Sequence, residues 1–385
     1  MRFADNRNKI GKYIPAVVFL IFIYGMALWF IFSPKSDYSS SEKRYLQKFP
    51  EVTAEKLLSG DFGSEFETFF ADRFPQRNTW VGLNAYTALA VGNNGASGVY
   101  NCKNGYLINK PVSTENNLDK NIGAVADFAK SIDTPTTVML VPSTGYIVDD
   151  VLPTFHDKYN DDEDISKISS TLSKDKIGFV DLRERFKSEY KNGSQLYYKT
   201  DHHWTTKGAY TGYQELCKAL GITPIDDSTL KKDSYPDFYG TTYSSSGFWL
   251  TPPDNIEIWN NPKNSDRNIS VKITEGANIK TSGSMYFTDH LKEDDKYPVF
   301  IDGNHALTEI TNTNAKNGTI LLIKDSFSHS LAPFLAENYS KVVLVDLRYY
   351  KESVSELVTT YNPEQVVVLY GIDNLATDTD IVWLK

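Results

Sequence analysis

TILLIKDSFSHSLAPFLAENYSKVVLVDLRYYKESVSELVTTYNPEQVVVL, residues 319–369, holds three short runs rich in β-branched residues. The runs are Thr319–Ile323, Lys341–Val345 and Gln365–Leu369, and helical segments at about 328–338 and 351–361 separate them. Apolar on both of their alternating faces, these runs suit parallel strands covered on both sides, so the segment is read as βαβαβ. Upstream the same alternation is weaker. A hairpin is expected around Asn104-Gly105, then a helix Asn116–Ser131, a strand Thr136–Pro142, a second apolar run Ile177–Leu182 and an amphipathic helix Arg183–Tyr190. Residues 221–297 are rich in Ser, Pro, Asp and Asn and read as an insertion of β and loop structure. Residues 46–91 read as helical, with Phe62, Phe66, Phe69, Phe70 and Phe74 at near-helical spacing and Pro75 ending the run; these rings are expected to be core.

The N-terminus carries the clearest topological signal. Ile14–Phe32 has no charged residue and as a helix would span about 28 Å, the thickness of a bilayer's hydrocarbon. Arg2, Arg7, Lys9 and Lys12 precede it, a bias that keeps residues 1–13 cytoplasmic and places the rest outside. A cleaved signal peptide is the competing reading. Its apolar core is usually shorter and ends in small residues, whereas this one ends in FIFSPKS. The expectation is a transmembrane signal anchor over 14–32, a serine-rich tether over 33–45 and an extracytoplasmic domain over 46–385.

Composition narrows the chemistry. A net charge of -9 argues against nucleic acid as partner. Cys102 and Cys217 are too few for a disulfide scaffold and form no metal-binding spacing; one disulfide or two free thiols fit equally.

In an open parallel sheet, reactive groups gather at the carboxyl ends of strands. Ser326 follows the first of the three strands and precedes a helix, so it fits a nucleophile beside helix-N-terminal amides, or a plain helix cap. The stretch YYKTDHHWTT, residues 197–206, supplies the complementary groups. An Asp and a His two apart in an extended loop point the same way, which pairs Asp201 with His203 and turns His202 to the opposite side. A metal site is the rival use of these residues, but adjacent histidines share one tetrahedral ion poorly, so no metal and no cofactor is expected. A structural role for the cluster is the third reading.

TDHHWTTKGAY resembles the signature of the DHHW protein family of Gram-positive bacteria, which is similar to the alginate O-acetylation proteins AlgJ and AlgX within the SGNH hydrolase superfamily. DRFPQR, VFIDGNHAL, IKDSFSHSLAPFL and VVLYGIDNL extend the resemblance from about Glu42 to the C-terminus. It implies a three-layer α/β/α fold with a central parallel sheet and permuted motif order, and a catalytic triad of Ser326, His203 and Asp201. Lys324 stands where the family's Gly-Asp-Ser-Phe block has glycine, a change that would narrow or charge the pocket. Asn374, and less directly Arg348, match positions that support an oxyanion, with His202 alongside. Trp204, Tyr197 and Tyr198 would serve either as a stacking platform for a glycan or as core. The implied activity is O-acetyl transfer to a cell-surface polysaccharide, with a membrane-bound O-acyltransferase delivering the acetyl group. The alternatives are a carbohydrate esterase using the same triad, and a silent glycan-binding or scaffold protein of the envelope.

Overall fold

The computed structural model describes residues 3–113 and 117–384. Met1, Arg2 and Asn116, the last expected to start a helix, lie outside them. The chain divides into two units, 1–86 and 87–385.

In the first unit one long helix, Phe3–Phe32, contains a stretch, Tyr13–Phe32, long and apolar enough to cross a membrane. Strands β1 (Tyr38–Ser39) and β2 (Arg44–Tyr45) pair antiparallel. Short helices Ala54–Ser59 and Asp61–Asp72 follow, and the latter ends before Pro75. The five phenylalanines are not core: Phe66 and Phe70 are exposed and the other three only half-buried. The rings meet one another instead: Phe62 stacks on Phe66, Phe66 tilts against Phe69, and Phe70 meets Phe74 edge-on.

The second unit opens with a small three-stranded sheet, β3 (Gly95–Ala96), β4 (Val99–Asn101) and β5 (Leu107–Asn109), whose last two strands form the expected hairpin. Next come β6 (Thr136–Val141) and β7 (Gly178–Asp181). The antiparallel ribbon β8 (Lys231–Phe238) and β9 (Asp254–Asn260) stands apart from the main sheet. Then follow β10 (Ile269–Glu275), β11 (Asn278–Ser282), β12 (Leu307–Asn312), β13 (Asn317–Lys324), β14 (Tyr339–Val345) and β15 (Gln365–Gly371).

Eight of these strands form the central sheet in the order β11-β10-β12-β14-β13-β15-β6-β7. From β14 to β7 all neighbours run parallel, and β12, β10 and β11 add an antiparallel edge. The region 221–297 is therefore only in part an insertion, since β10 and β11 continue the main sheet. The alternation of Ile269, Val271 and Ile273 explains why: one face of β10 is apolar and packs in the core.

Period-two alternation also builds the two faces of the sheet. Ile320, Leu322, Val342, Leu344, Val367 and Leu369 point into one core, with the helices Thr206–Leu220 and Ser328–Leu335. Leu321, Ile323, Val343, Val345, Val366 and Val368 point into the other, beneath Asn117–Ser131, Asp161–Lys174 and Val354–Tyr361. The result is a three-layer α/β/α domain. Its strand β13 lies between β14 and β15, so the loops leaving β13 and β15 emerge side by side. Cys102 and Cys217 are buried free thiols.

Candidate active site

Ser326 sits two residues beyond β13, at the entry of the helix Ser328–Leu335. Its neighbour Asp325 braces the turn. One carboxylate oxygen accepts from Phe327 N (2.9 Å), and the other accepts from Gly371 N (2.8 Å) and Asn374 Nδ2 (2.7 Å). The exits of β13 and β15 are thereby tied together under the serine. Burial pushes the Asp325 carboxyl up, against these hydrogen bonds.

The second contributor is the loop 197–204, closed by a bridge between Tyr197 and Trp204 and by Tyr198 N donating to His203 O (3.2 Å). Inside it Asp201 Oδ1 accepts from His203 N (2.9 Å) and pairs with His203 Nδ1 (2.5 Å). The other imidazole nitrogen, Nε2, lies 2.7 Å from Ser326 Oγ. With Nδ1 protonated toward the carboxylate, Nε2 is the acceptor for the serine proton. Asp201, His203 and Ser326 are all buried. Burial alone would raise the Asp201 carboxyl, but the two histidines and its hydrogen bonds hold it well below the usual range.

Several parts of this arrangement had no sequence signal. Asp201 Oδ2 accepts from Thr241 N (2.7 Å) and Oγ1 (3.1 Å), so a residue forty positions on completes its shell. Gly240 precedes it, and a Cβ there would fall 2.1 Å from Asp201 Cβ. Gly240→Ala is expected to push the carboxylate off His203 and lower any reaction that Ser326 carries by about 10²-fold, as small displacements of catalytic groups do. Steady-state kinetics with an activated ester measures this. The His203 ring is stacked on Tyr297 (4.0 Å, 9°), whose hydroxyl donates to Ser326 O (3.2 Å).

His202 does not turn to the opposite side. Its ring lies 3.8 Å from that of His203, and its Nδ1 pairs with Thr241 Oγ1 (2.6 Å). Burial, then the neighbouring His203, push it down to about 3, so it is neutral. Asp201, His202 and His203 each offer a donor atom within 4.8 Å of the others, closer than adjacency suggested. Both nitrogens of His203 and both oxygens of Asp201 are, however, already hydrogen-bonded within the protein.

The aromatic residues of the motif are interior. Tyr197, Tyr198 and Trp204 are fully buried and present no ring face to a glycan. Tyr197 Oη donates to Pro142 O (2.6 Å), and Trp204 Nε1 donates to Phe327 O (3.0 Å) and Ser330 Oγ (2.9 Å), pinning the histidine loop to the serine helix.

Two further residues lie elsewhere than expected. Lys324 does not enter the pocket; it is buried with Nζ on Asp346 Oδ2 (2.8 Å) and His329 Nε2 (2.9 Å). Burial pushes the lysine down, and Asp346 opposes this. Arg348 engages Asp346 (2.9 and 2.6 Å) and Asn304 (2.8 Å), so it braces that carboxylate rather than Ser326.

Beside His202 lies a cavity of about 50 Å³, lined among others by Phe327, Asn374, Ser143, Tyr159 and Asp373. Ser143 bridges two acids, its N donating to Asp161 Oδ1 (2.7 Å) and its Oγ to Asp373 Oδ1 (3.2 Å). Burial, with Asp161 next, raises Asp373 to about 7, and burial raises Asp161 to about 6. Raised carboxyls favour folding below their unfolded value, about pH 4, and that contribution is lost as pH rises through 6 to 7. Asp373→Asn is therefore expected to gain stability relative to the parent between pH 4 and pH 8. The gain should be on the order of 1–2 kcal/mol after screening at this half-buried site, read by urea unfolding.

Residues 109–345 match the family model described as DHHW protein. Among solved structures, a DHHW family protein from Eubacterium siraeum is 17% identical, with 74% of this chain and 94% of that chain covered and a TM-score of 0.62. Bacillus cereus PatB1, solved with a sulfonyl adduct, is 20% identical over 74% of this chain and 97% of that chain, with a TM-score of 0.62. The O-acetyltransferase domain of Pseudomonas putida AlgJ is 14% identical over 75% and 95%, with a TM-score of 0.48. No curated protein matches the chain.

Proposed function

The chain belongs to the DHHW protein family, and from that premise we propose that it is a membrane-anchored, extracytoplasmic O-acyltransferase that moves an acetyl group onto a cell-surface polysaccharide through an acyl-serine at Ser326. The observation that carries this reading is the unbroken hydrogen-bond line Asp201–His203–Ser326, at 2.5 and 2.7 Å.

His203 Nε2 takes the proton as Ser326 Oγ bonds to the acyl carbonyl carbon, and Asp201 stabilises the imidazolium. The donor's alkoxide leaves with that proton. A sugar hydroxyl then attacks the acyl-serine and gives its proton to His203, which returns it to Ser326 Oγ as the C–Oγ bond breaks. The backbone N–H of Ser326 and Asn374 hold the oxyanion in this account. An amide has two N–H groups, and the bond to Asp325 engages one of those on Asn374.

The donor is a membrane-bound O-acyltransferase, because activated acetyl compounds are made inside the cell. An anchor over Tyr13–Phe32 would hold the triad beside such a partner and the emerging polymer. The test is the O-acetyl content of cell-surface polymer in cells whose only copy carries Ser326→Ala. Loss is expected, and retained acetylation would remove the triad account and leave a glycan-binding protein.

A further inference from the structure

The phenylalanines that fail to enter a core form one connected group. Phe49 meets Phe66 and Phe69 (6.1 and 5.4 Å between centroids), Phe66 stacks on Phe62 (6.1 Å), and Phe70 meets Phe74 (5.7 Å). The group continues onto the apolar N-terminal helix, where Phe30 lies 4.7 Å from Phe70 and 6.4 Å from Phe69. Phe49 is 57% exposed, Phe66 40% and Phe70 43%, and the adjoining helix Ala54–Ser59 exposes Leu58 to 89%. Contiguous exposed apolar surface of this kind marks an interaction site.

The position of Phe30 says what covers it. It lies two residues before the end of the span at Phe32, about 3 Å along the helix axis. Whatever touches Phe30 is therefore at the depth where hydrocarbon gives way to head groups. Lys35 marks the same level, with its Nζ donating to Phe30 O and lying 3.7 Å from the centre of the Phe30 ring. Nor is there slack to carry the helix Asp61–Asp72 away. Asp37 in the tether accepts from Arg73 (2.9 Å), Arg44 pairs with Asp72 (2.9 Å), and Gln47 N donates to Asp72 (2.9 Å).

We infer that residues 49–74 form an amphipathic membrane-surface segment, with the Phe49–Phe66–Phe70 patch buried in the outer lipid interface and continuous with the spanning helix. This rests on the anchor reading above. The partner is the lipid bilayer, and the driving force is apolar area rather than charge: Asp61, Glu65, Glu67 and Asp72 line the same helix and give no basic face for anionic lipid.

The test uses the full chain reconstituted in phosphatidylcholine–phosphatidylglycerol vesicles, with an environment-sensitive NBD probe on single introduced cysteines. Cys102 and Cys217 are buried, so an introduced cysteine is the reactive thiol. Probes replace Ile21 in the span, Phe66 and Phe70 in the patch, and exposed Lys218 as the aqueous reference. At Phe66→Cys and Phe70→Cys the emission is expected to shift to the blue, with quenching by head-group-region spin-labelled lipid several-fold above that at Lys218→Cys. Iodide quenching at both should fall several-fold below that reference. Water-like emission at 66 and 70 with lipid quenching at Ile21→Cys would overturn the inference and keep the anchor. Protection at 66 and 70 from both quenchers would put protein, such as a second copy, on the patch and also overturn it. Aqueous behaviour at Ile21→Cys would remove the anchor and the inference together.

Discussion

Alanine at Ser326 is expected to lower acyl transfer about 10⁴-fold or more, leaving only what binding and the oxyanion donors supply. The geometry makes the expectation stronger than a list of residues would. His203 Nε2 lies 2.7 Å from Ser326 Oγ, and the ring is held by Asp201 on one edge and by Tyr297 and His202 on its faces. Groups that act as a unit are not additive, so Ser326→Ala with His203→Ala should be scarcely slower than either alone. If the residues acted independently, the double variant would show the product of the two losses. Single-turnover rates on an activated acetyl ester distinguish the outcomes.

The second large effect is on stability. Asp346→Ala would leave Lys324 buried with only a neutral imidazole for company, because burial and Lys324 itself push His329 well below its ordinary range. Removing one partner of a buried ion pair costs about 3–5 kcal/mol. Arg348 would lose three hydrogen bonds as well, one from its backbone N and two from its guanidinium. Replacing both members by apolar residues, Lys324→Met with Asp346→Leu, should recover only part of the loss: the buried ammonium is gone, but the partly exposed Arg348 still loses its carboxylate partner. Urea unfolding of the single and double variants reads the difference. A single variant within experimental error of the parent would mean that Lys324 reaches water. Lys324 is the last residue of β13, two before Ser326, so the unstable variant should also lose activity at temperatures where it remains folded.

How much of this was legible beforehand follows from locality. The strands β13, β14 and β15 and the helices between them are announced by runs whose alternate residues feed two separate cores, a signal contained within each run. Asp201, His203 and Ser326 could be paired because each carries a chemical signature and a place in the chain pattern. Thr241 and Gly240 carry neither. They reach Asp201 only because the ribbon β8–β9 returns the chain there, and one threonine in a Ser/Thr-rich stretch looks like any other. Asp373 and Ser143 meet for a similar reason, since β15 and β6 are neighbours in space though more than two hundred residues apart.

Direction was harder to read than identity. His202 was expected to diverge from His203, but the loop is tight enough to lay the two rings together. Trp204 and the two tyrosines stand beside chemistry yet point inward: Trp204 anchors the loop to the helix Ser328–Leu335 and Tyr197 anchors it to Pro142, just beyond β6. The phenylalanines erred the other way. Helical spacing of apolar residues implies a buried face, but spacing alone does not say whether protein or lipid does the burying.

The most direct measurement is peptide-resolved mass spectrometry of the full chain after brief incubation with an activated acetyl ester. One acetyl group on the peptide containing Ser326, absent when His203 is alanine, is the predicted result. Ester turnover with the label on another residue, or with equal labelling of Ser326 in the His203→Ala protein, would contradict the account.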